Sequence, residues 1–302
     1  MPPFKILKTI CLRHNHWVFL LLFSIPSLWS QEENSDSLPR WKHQRSIGIL
    51  LNQASFSNWL AGGVNNFSGT FNASYNLNFK NEHRDWTNPL DLALGYARTN
   101  ESSDYIKMDD QLVFQSVLKV RSEKAWNFSS SFDLKTQNAP GSIVLDKSQA
   151  DKIQSTHFFS PAYMQLGTGL AYAKGDSFQL QWNPINARVI VVDADFTKDL
   201  AAGETYFGVA AGKSSRWEAG VSVSMESNIE VATNILLRNK LNVVTNYLEE
   251  FKNVDFDYTL ASQMKVNKHV SALFELQLVY DDNAIADLQV RQIFGLSIAL
   301  PY

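Results

Sequence analysis

From about Ile47 to the end of the chain, apolar and polar residues alternate one by one through successive segments, each bounded by turn residues. Neighbouring side chains of a strand point to opposite faces, so each such segment has one apolar and one polar face. Between Phe67 and Phe79 the odd positions are Phe67, Gly69, Phe71, Ala73, Tyr75, Leu77 and Phe79, and the even ones are Ser68, Thr70, Asn72, Ser74, Asn76 and Asn78. The split recurs with Phe256, Tyr258 and Leu260 against Asp255, Asp257 and Thr259, and with Leu276 and Leu278 against Glu275 and Gln277.

The alternation and turn signals predict about twelve strands, near 46–56, 67–80, 86–99, 108–121, 126–138, 158–173, 177–192, 214–226, 228–240, 253–266, 269–281 and 288–302. Every second connection is short, Ser227 being the shortest, while 139–157 and 193–213 are long. Short turns on one side, longer loops on the other and an even strand count predict an all-β fold: an antiparallel up-and-down transmembrane β-barrel with both termini in the periplasm.

A soluble β-sandwich also alternates, but its strands average about 5 to 6 residues. These reach or exceed the roughly 9 to 11 that a tilted membrane strand requires. Charge placement separates the two folds further. Glu218, Glu226, Glu230, Arg238, Asp255, Asp257, Lys265, Glu275 and Arg291 all fall on the polar parity. A lysine or arginine facing mid-bilayer lipid would cost about 2 to 4 kcal/mol. Trp86, Trp126 and Phe178 open strands after short turns, and Phe79, Tyr172 and Tyr302 close them, as a periplasmic aromatic girdle would.

The first thirty residues have the layout of a secretory signal peptide: Lys5, Lys8 and Arg13, an apolar stretch from Trp17 to Leu28, and Ser30 ahead of the expected cut. The expected organisation is thus a signal peptide over 1–30, a periplasmic linker over 31–45 and a barrel over 46–302. Cleavage would remove Cys11, the one cysteine, which excludes thiolate metal sites, cysteine catalysis and disulfides from the mature chain. It would also remove three of the 27 basic residues and none of the 30 acidic ones, taking the net charge from −3 to −6. With no basic patch, a nucleic-acid partner is not expected.

Gln53-Ala-Ser-Phe-Ser-Asn-Trp-Leu-Ala-Gly-Gly-Val-Asn-Asn66, Trp86-Thr-Asn88, Lys107-Met-Asp-Asp110, Thr136-Gln137, Ser160-Pro-Ala-Tyr163, Asn183-Pro184 and Val279-Tyr-Asp-Asp-Asn283 follow one another along the chain. In this order the signatures resemble an uncharacterised family of Bacteroidota envelope proteins over nearly all of the mature chain. The resemblance implies an outer-membrane barrel and supplies no chemistry. The ending Leu-Pro-Tyr302 departs from the terminal Phe of many outer-membrane barrels, and Tyr302 can serve as the terminal aromatic.

Two clusters are candidate ligand or rim contacts. The first is Trp59 with Asn65 and Asn66 around Gly62 and Gly63, where amides and an indole could meet a sugar, and where a tight turn with one girdle tryptophan explains the same residues. The second is Asp109 and Asp110 with Asp281 and Asp282, expected at one rim. Four carboxylates could hold Ca²⁺, yet a ring of solvated charges with Lys107 nearby is the simpler reading, so no metal is assigned. For catalysis, only His157 with Ser155 or Ser160 offers a base beside a nucleophile, and no histidine sits on a strand wall with serine at facing spacing. The expectation is a protein without cofactor that is not an enzyme. The inward acids, Asp255 with Asp257 and Glu226 with Glu230, face Lys119, Arg121, Lys135, Arg238, Lys265 and Arg291, which points to charge pairing across a narrow interior.

These observations lead to an exported, porin-like outer-membrane barrel in contact with lipid that carries a small solute through a mixed-charge lumen. The alternative is a non-conducting barrel that partners other envelope proteins.

Overall fold

A computed structural model describes residues 40–54, 66–99, 105–122, 125–144, 152–175, 177–248, 254–281 and 285–301. Twelve long strands close into one antiparallel barrel. In chain order they are β1 (Arg40–Ala54), β2 (Asn66–Lys80), β3 (Arg84–Thr99), β4 (Ile106–Val120), β5 (Trp126–Thr136), β8 (Ala162–Lys174), β9 (Phe178–Val191), β12 (Ser215–Ala232), β13 (Ile235–Asn246), β14 (Val254–Lys265), β15 (Val270–Asp281) and β16 (Ile285–Pro301). The short pairs β6 (Gly141–Val144) with β7 (Lys152–Thr156), and β10 (Thr205–Tyr206) with β11 (Val209–Ala210), lie in the two long connections. β1 closes the cylinder on β16, from Ser46 opposite Pro301 to Leu51 opposite Leu296. Closure removes the strand edges that would otherwise leave backbone N–H and C=O groups unpaired, a requirement for any sheet in hydrocarbon.

The alternation sets the sidedness of the wall. On β2 the even residues from Asn66 to Asn78 are at least partly covered, while Phe67, Phe71 and Tyr75 are exposed on the outer face. Around the wall Leu166 is 58% exposed, Ile185 70%, Trp217 69% and Phe294 59%. An apolar surface this continuous is foreign to a soluble monomer, which rarely shows a contiguous patch beyond a few hundred Å². At the short-turn end Trp41 packs on Phe79 and Trp86 at 5.2 and 5.6 Å, and Trp126 on Tyr172 at 5.5 Å, which forms the expected girdle. Tyr302 lies outside the described residues.

The strand boundaries depart furthest from expectation in two places. β1 begins at Arg40, within the segment expected to be a linker, because Arg40 to Arg45 continue the ladder against Lys80 to Tyr75. The turn expected at Ser227 lies at Thr233 and Asn234 instead. Ile229 and Val231 keep the outward parity of Val223 and Met225, so β12 runs on to Ala232 and Asn234 takes the left-handed turn conformation with φ 73°. Pro184, which has no N–H for the ladder, sits at the register shift of β9 between the pairs made by Asn183 and Asn186.

Candidate functional site

The inward residues enclose a cavity of about 680 Å³, lined from Thr87 and Lys119 toward the short-turn end to Tyr163 and Asp281 toward the loop end. Two ion pairs join strands across the lumen, the first of them between residues that line this cavity. Lys135 on β5 donates to Asp257 on β14 at 2.7 Å. Arg291 on β16 reaches Asp109 on β4 at 2.6 Å and Glu275 on β15 at 2.6 Å. Gln277 joins the two by donating to Asp257 at 2.8 Å while accepting from Arg291 at 3.4 Å. A third cluster links β9, β12 and β14, where Arg188 on β9 binds Glu218 and Asp255, and Arg216 reaches Glu218 at 3.3 Å. Charges taken out of bulk water must be paired and hydrogen-bonded, and the planar fork of arginine can serve two carboxylates at once.

Asp109 gains its inward seat from Gly95 opposite it. A Cβ at that position would stand 2.4 Å from the Thr70 hydroxyl and 3.1 Å from the Asp109 Cβ, so glycine permits the close approach. A register shift at Met108 then places Lys107 opposite Tyr96, on the same face as Asp110. Lys107 donates to Asp110 at 2.7 Å, to the Gln137 carbonyl of its side chain at 2.9 Å and to the Ala139 backbone oxygen at 2.8 Å. Asp110 accepts from the backbone N–H groups of Asn138 and Ala139 at 2.7 and 2.9 Å. The pair thereby fixes the start of the connection between β5 and β8.

The connection between β9 and β12 folds over the loop end. Val209 and Val192 are buried with Ile190, and Tyr163, Tyr206 and Phe207 pack against them. Phe207 also lines the cavity, so this segment forms part of its roof. Buried Thr197 ties the segment together by donating to the Lys213 oxygen at 2.6 Å. Asp193 joins it to the preceding loop: its carboxylate meets His157 Nε2 at 2.9 Å, and its backbone N–H donates to the Ser160 hydroxyl at 2.9 Å. The Asp195 backbone N–H, and then the His157 ring, hold the Asp193 carboxyl below its ordinary value of 3.8. Burial pushes the Tyr206 phenol up to about 12.

The residues singled out in the sequence separate in space. Asn66 opens β2 opposite Ala54 and Thr99, while Trp59 and Asn65 lie outside the described residues. Asp109 and Asp110 are not solvated rim charges as expected: Asp109 is buried inside the wall on Arg291, and Asp110 is consumed by Lys107 and the loop backbone. Asp281 lines the cavity, and Asp282 lies outside the described residues. His157 and Ser160 are close but both engage Asp193. Arg188 and the glutamines of the lumen wall carry most of the site and were not singled out by sequence. Their inward parity on the expected strands is the signal that could have found them.

Residues 51–141 match the model of a protein family of unknown function, DUF3078, in agreement with the resemblance to a family without assigned chemistry. No curated protein sequence matches the chain. Among solved structures it is similar to the translocator domain of the autotransporter NalP from Neisseria meningitidis, at 11% identity and TM-score 0.36 over 90% of both chains. It is likewise similar to outer membrane phospholipase A from Escherichia coli, at 11% identity and TM-score 0.41 over 89% of this chain and 94% of that one. A third similarity is to the CymD monoaromatic hydrocarbon channel, at 12% identity and TM-score 0.31 over 85% and 87%. These are likenesses of fold alone. They correct one expectation: a phospholipase stands among the similar barrels, so the statement that this chain is not an enzyme does not hold on fold, and at 11% identity the likeness transfers no activity either.

Proposed function

We propose that this chain spans the outer membrane and passes a small solute through a lumen narrowed by ion-pair struts. The observation that carries the reading is the cavity of about 680 Å³ inside the wall, which a barrel packed solid with side chains would lack. The apolar exterior supports lipid as the surrounding solvent, and an export signal over 1–30 fits that location. The Lys135–Asp257 and Arg291–Asp109 contacts span the lumen and restrict it, which fits narrow, selective passage. The same two crossings favour a second reading, a non-conducting barrel that partners other envelope proteins.

Planar-bilayer recording of the purified protein and of a Lys135→Met variant separates these readings. Passage through the lumen gives small discrete currents that grow in the variant. Silence from both proteins, together with envelope proteins that co-purify from native membranes, supports the partner role instead.

A further inference from the structure

We infer that the lumen binds an uncharged, hydroxyl-rich solute of saccharide type, recognised by wall carboxamides between the ion-pair struts. This deepens the solute reading and rests on the same cavity. Eight glutamines line it, more than half of the 15 in the chain, although inward positions are a minority of the sequence. Some are engaged: Gln115 donates to Asp133 at 2.8 Å, and Gln179 accepts from Lys119 at 2.9 Å. Gln111, Gln165 and Gln289 make no side-chain hydrogen bond to any described residue. Gln165 is the most telling, because it is only 8% exposed and lines the cavity without such a partner.

The Gln165 amide is not sealed in the wall but opens onto the cavity, where water or a ligand satisfies it. Each carboxamide offers two donors and an acceptor, a match for hydroxyls that donate and accept in turn. The strut charges around the cavity are neutralised within the wall: Lys135 by Asp257, Arg291 by Asp109 and Glu275, and Arg188 by Glu218 and Asp255. A charged solute would leave its own hydration shell to meet groups whose partners are already present, whereas a neutral polyol exchanges water for amides at little electrostatic cost. Tyr163 and Phe207 add aromatic surface at the roof, suited to the C–H face of a sugar ring. The volume falls within the roughly 300 to 1,000 Å³ of small-molecule pockets.

The test is saturation-transfer NMR of the full-length protein in detergent micelles with sucrose and maltotriose, set against gluconate and glucosamine as charged counterparts. The expected result is saturable binding of the two neutral saccharides and none of the charged compounds, with affinity about tenfold weaker in Gln165→Leu. Gln111→Leu, on a different strand, gives an independent reduction should the first variant fail to fold. Absence of neutral-saccharide binding, equal binding of gluconate or glucosamine, or unchanged affinity in both folded variants overturns the inference. Binding requires no permeation, so a silent barrel that binds sucrose refutes passage alone, and a conducting barrel that binds neither saccharide refutes this inference alone.

Discussion

Lys135 and Asp257 meet at 2.7 Å although their strands, β5 and β14, are separated by four others along the shorter way around the wall. Such a contact across a twelve-stranded cylinder fixes the lumen's width at that level. Both side chains keep partial exposure, 42% for Lys135 and 28% for Asp257, so solvent screens the pair and its contribution to stability is about 1 kcal/mol or less. Its main consequence is steric and electrostatic. Lys135→Met is expected to raise the flux of small solutes in proteoliposome swelling while the urea midpoint of the folded protein moves little.

Arg188 is a different case. It is 9% exposed, and its partner Glu218 is 3% exposed, with Asp255 sharing the same guanidinium. Removing the cation leaves Arg216 alone to balance Glu218 and takes the guanidinium from Asp255, a loss of about 3 to 5 kcal/mol. Arg188→Met is therefore expected to lower the urea midpoint sharply, read as conversion of the compact band on unheated gels. Combining it with Asp255→Asn should recover much of the loss, because Glu218 still has Arg216 as its partner at 3.3 Å and Asp255 is no longer charged.

The roof segment should loosen in acid. The Asp193 carboxyl is held below 3.8, first by the Asp195 N–H and then by His157, so its charged form is favoured in the folded loop. A depressed carboxyl stabilises the folded state above its unfolded value and loses that contribution as pH falls through its folded value, here below the ordinary carboxyl value of 3.8. Amide exchange across 192–214, corrected for intrinsic rates, is expected to accelerate over that window. Asp193→Asn keeps an acceptor for the Asp195 N–H and should flatten the dependence.

The outer face makes a demand of its own. Leu166 is 58% exposed, flanked by Phe132 on β5 and Ala187 on β9. If lipid is its solvent, Leu166→Arg costs about 2 to 4 kcal/mol in folding into phospholipid vesicles, falling toward zero for substitutions near the interfaces. Leu166→Ile on the same strand should be nearly neutral, as measured by urea titration of vesicle-inserted protein.

Much of this architecture was legible before any coordinates. Parity alone predicted twelve strands, their order and which residues face inward, since a period of two is a local property of the chain. Strand ends were harder: Arg40 to Arg45 are too polar to read as strand, and only their partners on β2 make them so. The displaced β12 turn was an overlooked signal, because Ile229 and Val231 preserve the alternation straight through Ser227. Asp109 and Asp110 could never have acted together, for adjacent strand residues face opposite ways. What no pattern revealed is which inward charge meets which. Lys135 and Asp257 lie far apart in sequence, and their meeting depends on the closure and stagger of the whole barrel.

The central claim is that hydrocarbon solvates the apolar parity of the wall while the polar parity faces an aqueous lumen. Replacing Cys11 and placing single nitroxide labels along β14, from Asp255 to Met264, reads that parity directly in vesicles. The account predicts a period of two, with oxygen accessibility high at Phe256, Tyr258 and Leu260 and water-soluble nickel reagent favoured at Asp255, Asp257 and Thr259. Equal access of the nickel reagent to both parities, with folded protein remaining in solution without lipid or detergent, would contradict it.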